Sequence, residues 1–325
     1  MRQFEFAILG AGAMGSIVGA HLTRAGHAVA MLARGARAAQ LREHGITISG
    51  LSDFSTAVTT ISDPRLLRSA ATLIVATKTP GTAEALQSLA HVAIENALSI
   101  QNGPLKNEIL SRAFGAPRVL GALADTSGEL RPDGQVLFTR NVNIMVGELP
   151  GGESERAERI AQALDDAGVR AAASAQILTL EWSKFCSWVG LMSLSVITRA
   201  PTWKFLSDPD SALVLVRLVR EMGQLAGALH IELSDHAILP TASLCAGDES
   251  EAVALINRTG AQYRLNAPQH RMSALQDVEA GRRLEVNETL GYALEKSRAL
   301  GLELPLLECF RQLIGAIDRI AAGGY

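Results

Sequence analysis

Phe4-Glu5-Phe6-Ala7-Ile8-Leu9, then Gly10-Ala11-Gly12-Ala13-Met14-Gly15, then Ser16-Ile17-Val18-Gly19-Ala20-His21-Leu22 is the stretch that decides the fold. A run of strand length feeds a G-x-G-x-x-G turn, which opens directly into a helical pattern. Gly10 allows the tight turn, Gly12 leaves backbone room for a pyrophosphate, and Gly15 lets the helix pack closely on the strand. The first N–H groups of that helix, around Ala13 and Met14, point at the phosphates, and its dipole favours their negative charge. A glycine triplet alone is a weak signal, because glycine-rich turns also occur where nothing binds. Here the strand before it, the helix after it and its place near residue 1 agree on a dinucleotide-binding turn.

The second strand says which dinucleotide. His27-Ala28-Val29-Ala30-Met31-Leu32-Ala33 reads as a buried parallel strand ending at Arg34-Gly35-Ala36-Arg37. A site for NAD normally puts Asp or Glu at this strand end, against the ribose 2′-hydroxyl, whereas an arginine accommodates a 2′-phosphate. No acid lies between Met31 and Gln40, and two arginines do. NADP(H) is therefore the expected cofactor, with Arg34 at the phosphate; the competing reading makes Arg34 and Arg37 solvated loop charges.

Composition bounds the rest. The 325 residues suggest about two domains as a soft prior. Hydrophobic residues are 48% of the chain, enough for two cores, and the net charge of −3 gives no support for nucleic acid or an anionic membrane as partner. Cys186, Cys245 and Cys309 are odd in number and widely spaced, which implies neither a disulfide framework nor a zinc site. The seven histidines do not cluster with them, so no metal is expected. No apolar run reaches the ~18 residues of a membrane helix, and no A-x-A cleavage pattern follows the first strand. A cytoplasmic enzyme is expected.

Along the chain the first half alternates strand and helix. Short β-prone segments fall at Thr47–Ser49 and Ala57–Ile61, and a buried strand at Ala71–Ala76 ends in Thr77-Lys78-Thr79-Pro80. A helix from Thr82 to Ala93 leads to a strand at Ala97–Ile100, ending in Gln101-Asn102-Gly103. Both endings lie at carboxyl ends of strands, where open α/β sheets bind ligands. Val119–Thr126, Gln135–Thr139 and Val142–Gly147 read as antiparallel strands, with Pro132-Asp133-Gly134 as a turn. An acidic amphipathic helix over 153–167 precedes a last short strand near Val169–Ala173. From Leu178 onward the spacing is helical with almost no strand signal, which argues a second, all-helical domain. No Pro/Gly-rich linker marks the boundary, so a ligand cleft between the two is expected.

The helical half carries two constellations. Lys184, Trp188 and Met192 stand at i, i+4 and i+8 and share one helix face. A lysine on a face of Trp and Met loses stabilisation of its charge, which lowers its pKa toward a range useful to a general acid. The competing reading has it extend to solvent along its apolar stem. The second constellation is Ser273-x-x-x-Asp277-x-x-x-Gly281-Arg282-x-x-Glu285. Ser273 and Glu285 would not share a face of one straight helix, but Gly281 offers a break that brings both into one cleft.

Gly10–Gly15, Arg34, Thr77-Lys78-Thr79, Gln101-Asn102-Gly103, Trp182-x-Lys184, the Ser273–Glu285 motif and Gly301-x-x-x-Pro305 form an ordered set. Each piece is modest; the set resembles the ketopantoate reductase (2-dehydropantoate 2-reductase) family over essentially the full length. The resemblance implies an α/β Rossmann-type dinucleotide-binding domain over residues 1–177, followed by an all-α substrate and dimerisation domain over 178–325, assembled as a homodimer. It implies NADPH-dependent reduction of a 2-keto acid to a D-2-hydroxy acid, as ketopantoate is reduced to pantoate in pantothenate biosynthesis. Lys184 matches the family's proton-donating lysine and Glu285 the glutamate that orients and charges that network. Ser273 matches the serine at the substrate carboxylate, Asn102 the asparagine at the nicotinamide ribose, and Lys78 the lysine of the cofactor loop. The ammonium makes chemical sense, since hydride transfer puts negative charge on the ketone oxygen.

The chain departs from the family at four positions. Asparagines stand four and eight residues after the family's lysine, the first of them bonding the substrate; here those positions are Trp188 and Met192. Ala274 and Asn287 also replace the Met and Asp often found there. Three readings stay open: a ketopantoate reductase, a D-2-hydroxyacid dehydrogenase of the family acting on a more apolar 2-keto acid, and a non-catalytic NADP-binding sensor.

Overall fold

The computed structural model describes residues 3–321 and separates into two compact units, Met1–Leu178 and Thr179–Tyr325. In the first unit, β1 (Phe4–Leu9) runs into α1 (Ala13–Arg24), then β2 (Val29–Leu32) and α2 (Gly35–His44). β3 (Ile46–Gly50), β4 (Phe54–Thr56), β5 (Thr59–Ile61) and β6 (Ser69–Val75) follow, then α3 (Thr82–Gln87) and β7 (Ala93–Ser99). α4 (Leu105–Phe114), the long hairpin of β8 (Leu120–Leu130) and β9 (Val136–Glu148), α5 (Glu155–Asp166) and β10 (Ala171–Ala173) complete it.

One sheet is parallel throughout, in the order β5-β2-β1-β6-β7. Its strands read as continuous apolar runs because helices cover both faces of such a sheet. The pleat sends Ile8, Met31, Ile74 and Leu98 into one core and Ala7, Leu9, Leu32, Leu73 and Val75 into another. Counted along the chain the order is 3-2-1-4-5, and its direction reverses between β1 and β6, the crevice where such sheets take ligands. Register levels the strand ends: Leu9 lies opposite both Leu32 and Val75, and Val75 opposite Ser99. Gly10, Ala33, Ala76 and Ile100 therefore leave the sheet along one edge.

Three elements differ from the sequence reading. The segments Gln135–Thr139 and Val142–Gly147 form one strand, β9. Two register shifts opposite Asp125/Thr126 and Ser127/Gly128 of β8 leave Val142 and Thr139 of β9 as extra residues, and Arg140 between them pairs with Asp125 across the hairpin at 2.6 Å. The helix expected to reach Ala93 stops at Gln87; tight turns then bury Leu89 and Val92, and Ala93 already belongs to β7. β4 pairs antiparallel with β3 and had no counterpart in the sequence reading.

The second unit is built from α6 (Ile177–Thr198), α7 (Thr202–Ser207), α8 (Pro209–Ala228) and α9 (Thr241–Cys245), with α6 starting just before its boundary. α10 (Glu249–Asn266), α11 (Ser273–Glu279), α12 (Tyr292–Ala299) and α13 (Pro305–Ala321) follow. A helix apolar all round belongs inside its unit, and α6 is one: from Glu181 to Val196 every residue is buried except Lys184. α7 crosses α10 closely, since a Cβ at Gly260 would lie 2.7 Å from Ser207 Oγ. α13 is seated by Glu221 of α8, whose carboxylate accepts the Leu306 and Leu307 N–H groups at 2.9 and 2.8 Å. Among the described residues no helix is long and apolar enough to cross a membrane, and no cluster of His, Cys, Asp and Glu could hold a metal ion. Burial pushes the Cys186 thiol well above its ordinary range.

Candidate functional site: a nucleotide turn and a lysine-bearing helix

In the first unit the site is built around the glycine turn. Gly10 has φ +106°, and a Cβ there would meet Thr77 Cγ2 at 2.7 Å, so the turn after β1 presses against the turn after β6. A Cβ at Gly15 would run into the Gly10 carbonyl oxygen. Around Gly12, by contrast, nothing among the described residues beyond its own chain neighbours lies within 4 Å of a Cβ, and Gly12 is the residue that opens α1. Two glycines are thus required by the fold and one by open space, which is the arrangement a pyrophosphate on a helix N-terminus needs. Ala13 and Met14, half-buried, pack on the core and fix the first turn of that helix. The residues fit a nicotinamide dinucleotide.

Arg34 and Arg37 separate in role. Arg34 is exposed at the end of β2 and caps α2 from outside. Arg37 is half-buried and committed. Its Nε donates to the Ala11 carbonyl at 3.0 Å and its Nη2 to Ser16 Oγ at 2.9 Å. Nη1 donates to Gln40 Oε1 at 2.7 Å and to the Gly134 carbonyl at 2.9 Å. It holds the glycine turn to the tip of the β8–β9 hairpin with four of its five N–H groups. Lys78 is exposed on the turn after β6, and Asn102 and Gly103 follow β7. Gln101 links these two turns, donating to the Thr77 carbonyl at 3.0 Å and to Thr82 Oγ1 at 2.8 Å, while its Oε1 accepts from Ser99 Oγ at 2.9 Å. Sequence reasoning picked out Gln101 only as part of a triplet; its role depends on partners from another strand end.

In the second unit, Lys184 is the half-buried residue in the buried run from Glu181 to Val196, flanked along one face by Trp188 at 6% and Met192 at 3% exposure. Polar bonds pin its turn. Thr241 Oγ1 donates to the Ser183 carbonyl at 2.9 Å, the Ser234 N–H donates to Ser183 Oγ at 2.8 Å, and Ser187 Oγ donates to the Ser183 and Lys184 carbonyls, both at 3.1 Å. Phe185 packs edge-on against Trp182 at 5.8 Å and reaches the Tyr292 ring at 6.3 Å, joining the lysine's turn to the start of α12.

The Ser273–Glu285 motif breaks where glycine allows it. Ser273 is exposed at the first turn of α11; Gly281 has φ +65°, and the Arg282 N–H closes back on the Asp277 carbonyl at 2.8 Å. Arg282 Nε also bonds Asp277 Oδ1 at 2.7 Å. Glu285 is half-buried just beyond, leading into a wide helical turn over Asn287–Gly291 in which the Gly291 N–H reaches the Val286 carbonyl at 2.9 Å. Such i→i+5 turns recur at functional sites. Glu288 lies on it, and its carboxyl is raised above the usual glutamate range by burial, with the charges of Glu285 and Asp318 adding to the effect.

A dinucleotide turn at the switch point of a parallel sheet, followed by a helical unit whose first helix carries a half-buried lysine among buried apolar neighbours, defines a nicotinamide-dependent oxidoreductase. The chain belongs to the ketopantoate reductase family: the PanE/ApbA family model matches residues 6–151 and the family's C-terminal model residues 176–318. Members of this family are NADP-dependent enzymes acting on CH–OH groups. A 2-dehydropantoate 2-reductase of Archaeoglobus fulgidus is 28% identical over 318 residues, covering 98% of this chain and 99% of the relative. One from Pyrococcus horikoshii is 24% identical, covering 97% and 98%. Among solved structures, D-mandelate dehydrogenase with NADH and anilino(oxo)acetate superposes with a TM-score of 0.83 at 20% identity, covering 97% of this chain and 99% of that one. A PanE/ApbA family ketopantoate reductase from Ralstonia eutropha JMP134 gives 0.81 at 22%, with the same coverage.

Proposed function

We propose that the protein reduces a 2-keto acid with an apolar or aromatic side chain to the D-2-hydroxy acid, using NADPH. The observation that carries the reading is the lysine face of α6, where Trp188 and Met192 are buried beside Lys184. Trp188 offers one N–H donor and no acceptor. A substrate hydroxyl pressed against its ring would lose water without recovering both bonds, at ~1–3 kcal/mol. An apolar side chain escapes that penalty and gains contact area.

When bound, NADPH supplies the hydride. Gly10, Gly12, Ala13, Met14 and Gly15 would hold its pyrophosphate, Arg34 its 2′-phosphate, and Lys78 and Asn102 the adjoining ribose and loop. Lys184 would hold its proton at the substrate's carbonyl oxygen and stabilise the charge that develops there. Glu285 would orient that ammonium and balance its charge, and Ser273 would bond the substrate carboxylate. A ketopantoate reductase from Staphylococcus aureus is described as dimeric, and a homodimer is part of the same proposal.

Ketopantoate is the competing substrate, favoured by the names of the curated relatives. Steady-state kcat/KM for phenylglyoxylate and for ketopantoate, in wild type and Trp188→Asn, separates the two. Wild type should prefer phenylglyoxylate, and Trp188→Asn should move the ratio toward ketopantoate by ~5- to 150-fold. A wild type that strongly prefers ketopantoate overturns the substrate assignment.

A further inference from the structure

Glu285 is gripped from α13. Asp318 lies on that helix with 5% of its surface exposed. Its Oδ1 accepts the Leu284 N–H at 2.8 Å and its Oδ2 accepts the Arg283 Nε–H at 2.8 Å. One buried carboxylate therefore holds the main chain and the side chain of the two residues immediately before Glu285. On the far side, Thr289 Oγ1, fully buried, donates to the Glu285 carbonyl oxygen. Arg311, a second α13 residue, reaches Asn287 Oδ1 at 3.4 Å. The stretch from Arg283 to Thr289 is fastened before and after the glutamate.

Stability alone is a poor account of Asp318. A carboxylate taken out of water is costly unless charge and hydrogen bonds repay it. Its charged partner, Arg283, is 68% exposed, and an ion pair with so exposed a member contributes little. The buried bond to the Leu284 N–H fixes a peptide orientation, and that peptide sets where the following residue stands. We infer that Asp318 is a positioning residue: from α13 it aims Glu285, without touching substrate or cofactor itself. The inference rests on the proposed role of Glu285.

The test is a double-mutant cycle on the full-length protein with NADPH, using whichever of phenylglyoxylate and ketopantoate has the higher kcat/KM. Wild type, Asp318→Ala, Glu285→Ala and the double variant are compared for kcat, KM and NADPH affinity. Asp318→Ala should lower kcat by ~10- to 100-fold, as a displaced reacting group does, with NADPH affinity unchanged. Once Glu285 is gone, the same change should cost less than about 2-fold, because nothing remains to be aimed. Asp318→Asn keeps an oxygen for the Leu284 N–H and should recover part of the loss. If Asp318→Ala does not fold, Asp318→Asn and the surface change Arg283→Ala carry the same cycle. An equal loss with and without Glu285 makes Asp318 a structural residue and overturns the inference. So does a folded Asp318→Ala with wild-type kcat beside an impaired Glu285→Ala, while leaving the role of Glu285 standing. A Glu285→Ala enzyme with unchanged kcat removes that role, and the inference falls with it.

Discussion

In the first unit, Gly10, Gly12 and Gly15 fall within six residues, and what each contributes is the absence of a side chain. In the second, Lys184, Ser273 and Glu285 come from separate elements, and each contributes a side chain whose behaviour depends on its surroundings. Backbone geometry over a short span is dictated locally, so a nucleotide turn declares itself wherever strand, glycines and helix follow one another. A half-buried ammonium becomes one only when other helices cover everything around it. α6 shows the second principle plainly, since residues on both sides of Lys184 are buried and it is not.

The comparison breaks first at Lys184. Lys184→Ala should lower kcat by ~10²–10⁴ on the best substrate while leaving NADPH affinity within about 2-fold of wild type. Steady-state rates and a fluorescence titration measure the two separately. Retention of most of kcat would remove the lysine from the chemistry, and an equal loss of affinity would show that the two regions do not divide the labour.

The two arginines sharpen the picture of the first unit. One charge-assisted contact to a phosphate contributes ~1.5–3 kcal/mol, or ~10- to 150-fold in affinity. Arg34→Ala should therefore erase that much of the preference for NADPH and leave NADH binding unchanged. Arg37→Ala should weaken both cofactors alike, because its loss frees the Ala11 carbonyl of the glycine turn. Titrating both variants with both cofactors decides it; selectivity lost through Arg37 instead would reverse the assignment.

The smallest effect is expected at Glu288. Its carboxyl is held above the ordinary range by burial first, then by Glu285 and Asp318. Between its unfolded and folded pKa values the folded protein binds the extra proton, so its contribution to stability is lost as pH rises through the folded value. Glu288→Gln should raise Tm by a few degrees at pH 8 and make little difference near about pH 4, below the usual glutamate pKa. Thermal melts at the two pH values test this; an equal shift at both would show that the charge is not responsible.

How far each region could be read from sequence follows from the same contrast. The parallel strands announce themselves because both faces are covered, and the glycine turn because its requirements are local. The two short β segments became one strand through bulges in β9 at Thr139 and Val142, which only its pairing with β8 reveals. Gln101 and Arg37 went unassigned for a similar reason: Arg37 bonds Ala11, Ser16, Gln40 and Gly134, partners spread along the chain that only the fold assembles. On α6 the spacing of Lys184, Trp188 and Met192 gave their common face, whereas the notch at Lys184 needed its neighbours. Asp318 was the least legible of all. One acid on an amphipathic helix among arginines looks like solvated surface until its oxygens are seen on Arg283 and Leu284.

Arg37 also joins two motions that would otherwise be independent. The tip of the β8–β9 hairpin is a surface turn, the kind of segment that opens most readily in a folded protein. Here the Gly134 carbonyl at that tip and the Ala11 carbonyl of the glycine turn hang from one guanidinium. Opening the tip slackens the turn, and whatever immobilises the turn must quiet the tip by the same free energy, since linkage between two sites is reciprocal.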